Sequence, residues 1–192
     1  TLTLSHSHGA TFSSPVTAVT AVVLSNTAVG QTIRFEDDLS TGTLTTTGNG
    51  YNLELLGANT SVTAATTFAN MGNLKLGNDS TDNLSFAGGL VVTEPSSISL
   101  GGTVSTTNAA MTLGDNNTAL TLADHLTLNT AGGALNMNGA VDGTLANTQS
   151  LTLNAGSAGV VSVTGAVGQT TALHTLTLSH SHGATFSSPV TA

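Results

Sequence analysis

The sequence predicts an all-β chain wound as a parallel β-solenoid, and three observations lead there. Long polar helix formers are nearly absent, short Leu-x-Leu triplets recur along the whole chain, and residues 1–18 return unchanged at 175–192. The composition removes helices first. A solvent-facing helix coats itself with Lys, Glu, Gln and Arg, yet Arg34 and Lys75 are the only strong bases here. Thr fills 36 of the 192 positions, and its branched Cβ stiffens χ1 and suits a pleated strand.

The triplets supply the strands. Leu2-Thr3-Leu4, Leu74-Lys75-Leu76, Ile98-Ser99-Leu100, Leu126-Thr127-Leu128, Leu151-Thr152-Leu153 and Leu176-Thr177-Leu178 each place two apolar residues on one face and a third residue on the other. With Val22-Val23-Leu24 and Leu44-Thr45-Thr46, triplets start at 2, 22, 44, 74, 98, 126, 151 and 176. The intervals of 20, 22, 30, 24, 28, 25 and 25 predict seven coils of about 25 residues. Further extended stretches such as Val160–Thr164 and Tyr51–Leu55 lie between them. Gly48-Asn49-Gly50, Gly88-Gly89, Gly101-Gly102, Gly132-Gly133 and Asp142-Gly143 mark the corners. An immunoglobulin-like sandwich is the rival. It calls for about seven strands in ~100 residues and often a buried Trp, whereas this chain has no Trp and one Tyr.

Eighteen identities in a row set the larger organisation. Residues 1–174 read as one complete tandem-repeat unit, and 175–192 as the first coil of the next. Stacked coils leave unpaired N–H and C=O groups on an outermost edge, and a tandem array covers each edge with the following unit. Seven coils at ~4.8 Å would rise only ~34 Å, so a long chain becomes a short, stiff rod.

Charge excludes several functions. Ten acidic residues against two basic ones give a net charge of −8, and none of these residues falls in 175–192. Phosphate binding needs several cations, so nucleic acid is not an expected partner, nor is an anionic membrane surface. No cysteine is present, which excludes a disulfide framework and thiolate metal sites. No secretory signal is visible, and no apolar run approaches the ~20 residues of a transmembrane segment.

Candidate sites are few. Ser5-His6-Ser7-His8 and its copy Ser179-His180-Ser181-His182 pair two imidazoles at strand spacing, which would let them share Zn²⁺ or Cu²⁺. A stable site needs a third and a fourth ligand, and none is evident nearby in sequence; a neighbour across a coil, such as His174, would have to supply one, so outward-facing histidines are the favoured reading. Asp37 and Asp38 after Glu36, and Asp79 and Asp82 within Gly77–Asn83, would suit Ca²⁺ at coil corners. They match neither the β-roll nor the EF-hand spacing, and tight turns ask for Asp and Asn in any case. No cofactor is therefore expected, Ca²⁺ being the one that these corners would suit.

Thr3, Thr127, Thr152 and Thr177 suggest an outward hydroxyl ladder of the ice-binding kind, interrupted by Val23, Lys75 and Ser99. The sequons at Asn59, Asn78, Asn83 and Asn116 are no more than this composition produces by chance. An enzyme is not expected either. Two isolated cations cannot stabilise a developing anion, and no nucleophile elbow, phosphate loop or zinc-hydrolase motif is present.

Residues 160–192, VVSVTGAVGQTTALHTLTLSHSHGATFSSPVTA, and 41–63, TGTLTTTGNGYNLELLGANTSVT, resemble the repeats of filamentous-haemagglutinin-like proteins, giant bacterial surface proteins. The resemblance implies a right-handed parallel β-helix, exported and acting in adhesion or as an extracellular fibre. It carries over no catalytic or binding residue, since the matching segments are scaffold. The expected function is a structural unit of an extracellular or cell-surface filament, associating with itself end to end and bundling sideways. The alternative is the stalk of an adhesin whose binding lies in loops such as 26–42 or in a tip domain. Polar Thr and Asn faces leave carbohydrate or mineral binding as a third expectation.

Overall fold

An inward Leu or Val needs apolar partners on a neighbouring strand, and in this chain it finds them one coil further along. The computed structural model describes residues 1–192, the side chains of Ala18 and Val19 apart. The fold is all-β, and no helix occurs among the described residues. Strands pair in parallel throughout the stack. The result is a parallel β-solenoid of about eight turns, with coils about 23 residues apart.

Each coil circuits three faces. The first face opens with Leu2–Ser5, the second with Ala10–Phe12, and the third with residues 16–19 of the strand Val16–Ser25. That long strand then bends back onto the first face, where residues 22–25 pair with Leu2–Ser5. Three ladders follow from this circuit.

On the first face, Leu2, Val22 and Leu44 are in register, and Leu90, Met111, Leu135, Val161 and Ala184 continue the column from Thr66. Between Leu39–Thr46 and Thr66–Thr67, the Thr46 hydroxyl accepts from Ala69 N–H at 2.7 Å and spans the step. On the second face, Ala10, Ile33, Leu53, Leu74, Ile98, Leu120 and Val141 stack, followed by Val167 and Val190. On the third, Val16, Leu39, Thr60, Leu84, Val104, Leu128, Leu153 and Leu178 stack.

The three inward columns meet in one core. Leu53, Leu84, Val104, Leu128 and Leu135 are wholly buried. Aromatics widen it where the coils allow: Phe12 stacks on Phe35 with ring centroids 4.7 Å apart, and Phe68 meets Phe86 edge-on at 5.7 Å. Corners depend on glycine at particular points. Gly102 turns the strand Ser97–Ser105 from the second face to the third at φ 78, and a Cβ there would strike the Asp82 carbonyl oxygen.

The faces correct the expected count of seven coils of 25 residues. Triplets at 2, 22 and 44 lie on the first face, those at 74 and 98 on the second, and those at 126, 151 and 176 on the third. The two longest intervals, 30 and 28 residues, are therefore each one turn plus a step to the next face. Alternation looks the same on every face, so spacing along the chain counts triplets without placing them. From Leu2 to Leu176 the chain completes seven and two-thirds turns.

Leu53 sits between Ile33 and Leu74 with no exposure. Leu53→Ala is expected to cost about 2–5 kcal/mol through lost burial and the cavity left behind. Thr127→Ala, on an outward position, is expected to change stability by no more than about 0.5 kcal/mol. Urea unfolding checks both, and equal effects would mean that the inward columns do not form the core.

Candidate functional site

The middle residue of each strand points away from the core, so the outward columns are the chemistry that a partner meets. On the second face Thr11, Arg34, Glu54, Lys75, Ser99, Thr121 and Asp142 are in register. Both strong bases of the chain thus share one column, with Glu54 between them. Arg34 Nε donates to Glu54 Oε2 at 2.5 Å, and Arg34 Nη1 lies 3.7 Å from Glu36 Oε1. The bond and charge of Glu54, with a smaller part from Glu36, hold the Arg34 guanidinium above its ordinary pKa.

The third face is different in kind. One outward column runs Asn59, Asn83, Thr103, Thr127, Thr152 and Thr177; the other runs Ser40, Ser61, Ser85, Ser105, Asn129 and Asn154. Ordinary strand spacing puts these groups ~4.8 Å apart along the axis and ~6.8 Å apart across it. This corrects the expected Thr ladder. Thr3 and Val23 belong to the first face, Lys75 and Ser99 to the second, so none of them interrupts the third. Asn59-Thr60-Ser61, Asn83-Leu84-Ser85, Thr103-Val104-Ser105, Thr127-Leu128-Asn129 and Thr152-Leu153-Asn154 carry the pattern in sequence. It was readable only once the faces were known. Two of the sequons, at Asn59 and Asn83, are members of this array.

The histidine and acidic candidates fall at corners. His6 takes a left-handed φ of 55 and, with His8, lies beyond the strand Leu2–Ser5. His180 closes the strand Thr175–His180, and His182 lies beyond it. The two-residue strand spacing that would aim each pair at one ion is therefore broken. His174 donates its N–H to the Gln149 carbonyl. Among the described residues, no three His, Asp or Glu side chains come together as a metal would require.

Acidic side chains at the corners bond to the backbone. Asp37 accepts from Asp38 N–H, and Asp38 accepts from the Asn59 backbone at 2.8 Å and from its side chain at 3.2 Å. Asp82 accepts from the N–H groups of Asn78 and Asp79, while Asp79 accepts from the N–H and hydroxyl of Thr81. The Thr81 bonds lower the Asp79 carboxyl below its usual pKa. The Thr118 hydroxyl and the Asn117 N–H do the same for Asp115. Sequence reading missed Asp115, although Asp115-Asn116-Asn117 has the spacing of an Asx turn.

Among the described residues, no helix is long and apolar enough to cross a membrane. Compared with protein-family models, with curated proteins and with solved structures, the chain matches none.

Depressed carboxyls fix the sign of the acid response. Their folded-state pKa lies below the unfolded value, so their contribution is present above the ordinary carboxylate range near pH 4 and is lost as pH falls through the folded values. Replacing both Asp79 and Asp115 by Asn is expected to flatten the loss of thermal stability between about pH 4 and pH 2. An unchanged acid slope would show that these corner bonds do not contribute to it.

Proposed function

We propose that the chain is a structural unit of an extracellular filament or fibrous surface protein, a stiff rod made by stacking coil on coil. The observation that carries this reading is the course of parallel ladders on three faces over about eight turns, combined with the return of residues 1–18 at 175–192. Such a stack lengthens with every coil and needs no other domain to finish its core. The 174-residue repeat then acts as a tandem unit, associating with the next copy end to end. Its resemblance to filamentous-haemagglutinin-like repeats, exported to the bacterial surface, points the same way.

Surface chemistry supports a passive role. A net charge of −8 per unit makes neighbouring rods repel until salt screens them, over about 8 Å at physiological ionic strength, so lateral bundling would be salt-dependent. Two cations, both in one outward column, leave little with which to build a catalytic centre, so no enzymatic activity and no cofactor are proposed. An adhesin stalk uses the same scaffold. Its binding would lie in corner loops such as 26–42 or in a tip domain.

Seven and two-thirds turns at ~4.8 Å give ~37 Å per unit, slightly more than seven coils would. Electron microscopy of chains carrying one, two and four units is expected to show rods that lengthen by about 37 Å per unit, without necks. Constrictions between units would indicate separate globular modules and overturn the filament reading.

A further inference from the structure

The repeated eighteen residues occupy two different places in the stack. In the first copy, Leu2 and Leu4 pair with Val22 and Leu24 on the first face, Phe12 with Phe35 on the second, and Val16 with Leu39 on the third. In the second copy, Leu176 and Leu178 pair with Leu151 and Leu153 on the third face, Phe186 with Val163 on the first, and Val190 with Val167 on the second. Every residue of the motif has moved by one face.

The two sets of contacts do not compete. The first copy is covered only by the coil that follows it, and the second only by the coil that precedes it. In the second copy the same apolar side chains are left open on the outer edge, where Leu178 is 43 %, Phe186 37 % and Val190 44 % exposed. The segment that covers this edge is already visible, since residues 22–39 cover the identical eighteen residues in the first copy. One coil can hold both sets at once.

We infer that consecutive 174-residue units join with an offset of one face, the third face of one unit running on as the first face of the next. The first face likewise becomes the second, and the second becomes the third. The partner is a second copy of this unit, so the inference rests on the tandem-filament reading above. A unit of seven and two-thirds turns requires this offset, because a whole number of turns would return each face to itself. The mixed column Arg34–Glu54–Lys75 therefore moves round the rod by a third of a turn at each unit. It recurs on the same side only after three units, about 23 turns or roughly 110 Å. No side of the filament is then chemically distinct over its length.

The two copies differ at one corner. His6 has a left-handed φ, whereas the copy starting at 175 places its irregularity between Leu153 and Asn154 in the register below. A single coil that is covered on both sides adopts one of these corners.

A two-unit chain, residues 1–174 followed directly by 1–192, provides the test. The chain has no cysteine, so spin labels can be placed singly. One pair joins Thr127→Cys in the first unit to Thr45→Cys in the second. With the offset, Thr127, Thr152, Thr177, Val23 and Thr45 form one column, and the pair is four rungs or ~19 Å apart plus the label arms. The other pair joins Thr127→Cys to Ser40→Cys, five residues before Thr45 in the second unit but on its third face. The expected result is the shorter distance for the Thr45 pair. A shorter distance for the Ser40 pair, in a rod of doubled length, overturns the offset and leaves the filament reading standing. A two-unit chain that forms no continuous rod overturns the filament reading itself.

Discussion

The parallel backbone ladder is the constraint on which the rest of this molecule depends. Pairing at ~4.8 Å brings each residue directly above its counterpart in the preceding coil, so every position is judged by what stands one coil away. Inward positions are then mostly apolar, as Ile33, Leu53, Leu74 and Ile98 are, with the buried Thr60 and Thr66 among the exceptions. Outward positions tolerate like on like only when the side chains are uncharged or alternate in sign. The third face takes the first course with Ser, Thr and Asn. The second takes the other, setting Glu54 between Arg34 and Lys75.

The same constraint explains how a chain so poor in charge holds irregular corners. Coils differ in length because the ladder fixes the faces and leaves the corners free, with register steps from 20 residues between Leu2 and Val22 to 26 between Leu135 and Val161. Corners are closed by glycines in left-handed conformations and by Asp, Asn and Thr side chains bonded to nearby N–H groups. Those bonds occupy the acidic groups that the sequence offers as calcium ligands. Function, in this reading, lies in continuity: each coil finishes the core of the one before it.

Much of this was legible in the sequence. Fold class followed from the scarcity of Lys, Glu, Gln and Arg together with the alternating triplets, because both act locally and need no knowledge of the stack. The reading of residues 1–174 as a tandem unit rests on the identity of 1–18 and 175–192 alone. The assignment of triplets to faces did not, because Leu74-Lys75-Leu76 and Leu151-Thr152-Leu153 have the same alternation on different faces. That loss hid two-thirds of a turn and the polar columns of the third face. The course of the backbone at the histidine pairs was hidden for a related reason: strand spacing does not extend through Ser5–His8, where the backbone leaves the strand and turns through a left-handed residue.

Hydrogen exchange of the backbone amides tests the stacked ladder most directly, because strand N–H groups are bonded to the neighbouring coils, the preceding one or the following one, rather than within their own coil. Strands from Thr32–Phe35 to Val160–Val163 are expected to exchange slowly on all three faces alike, with faster exchange in the outermost coils and at the corners. Protection on a single face, or strong protection at the corners and little in the Leu columns, would contradict a three-sided parallel solenoid.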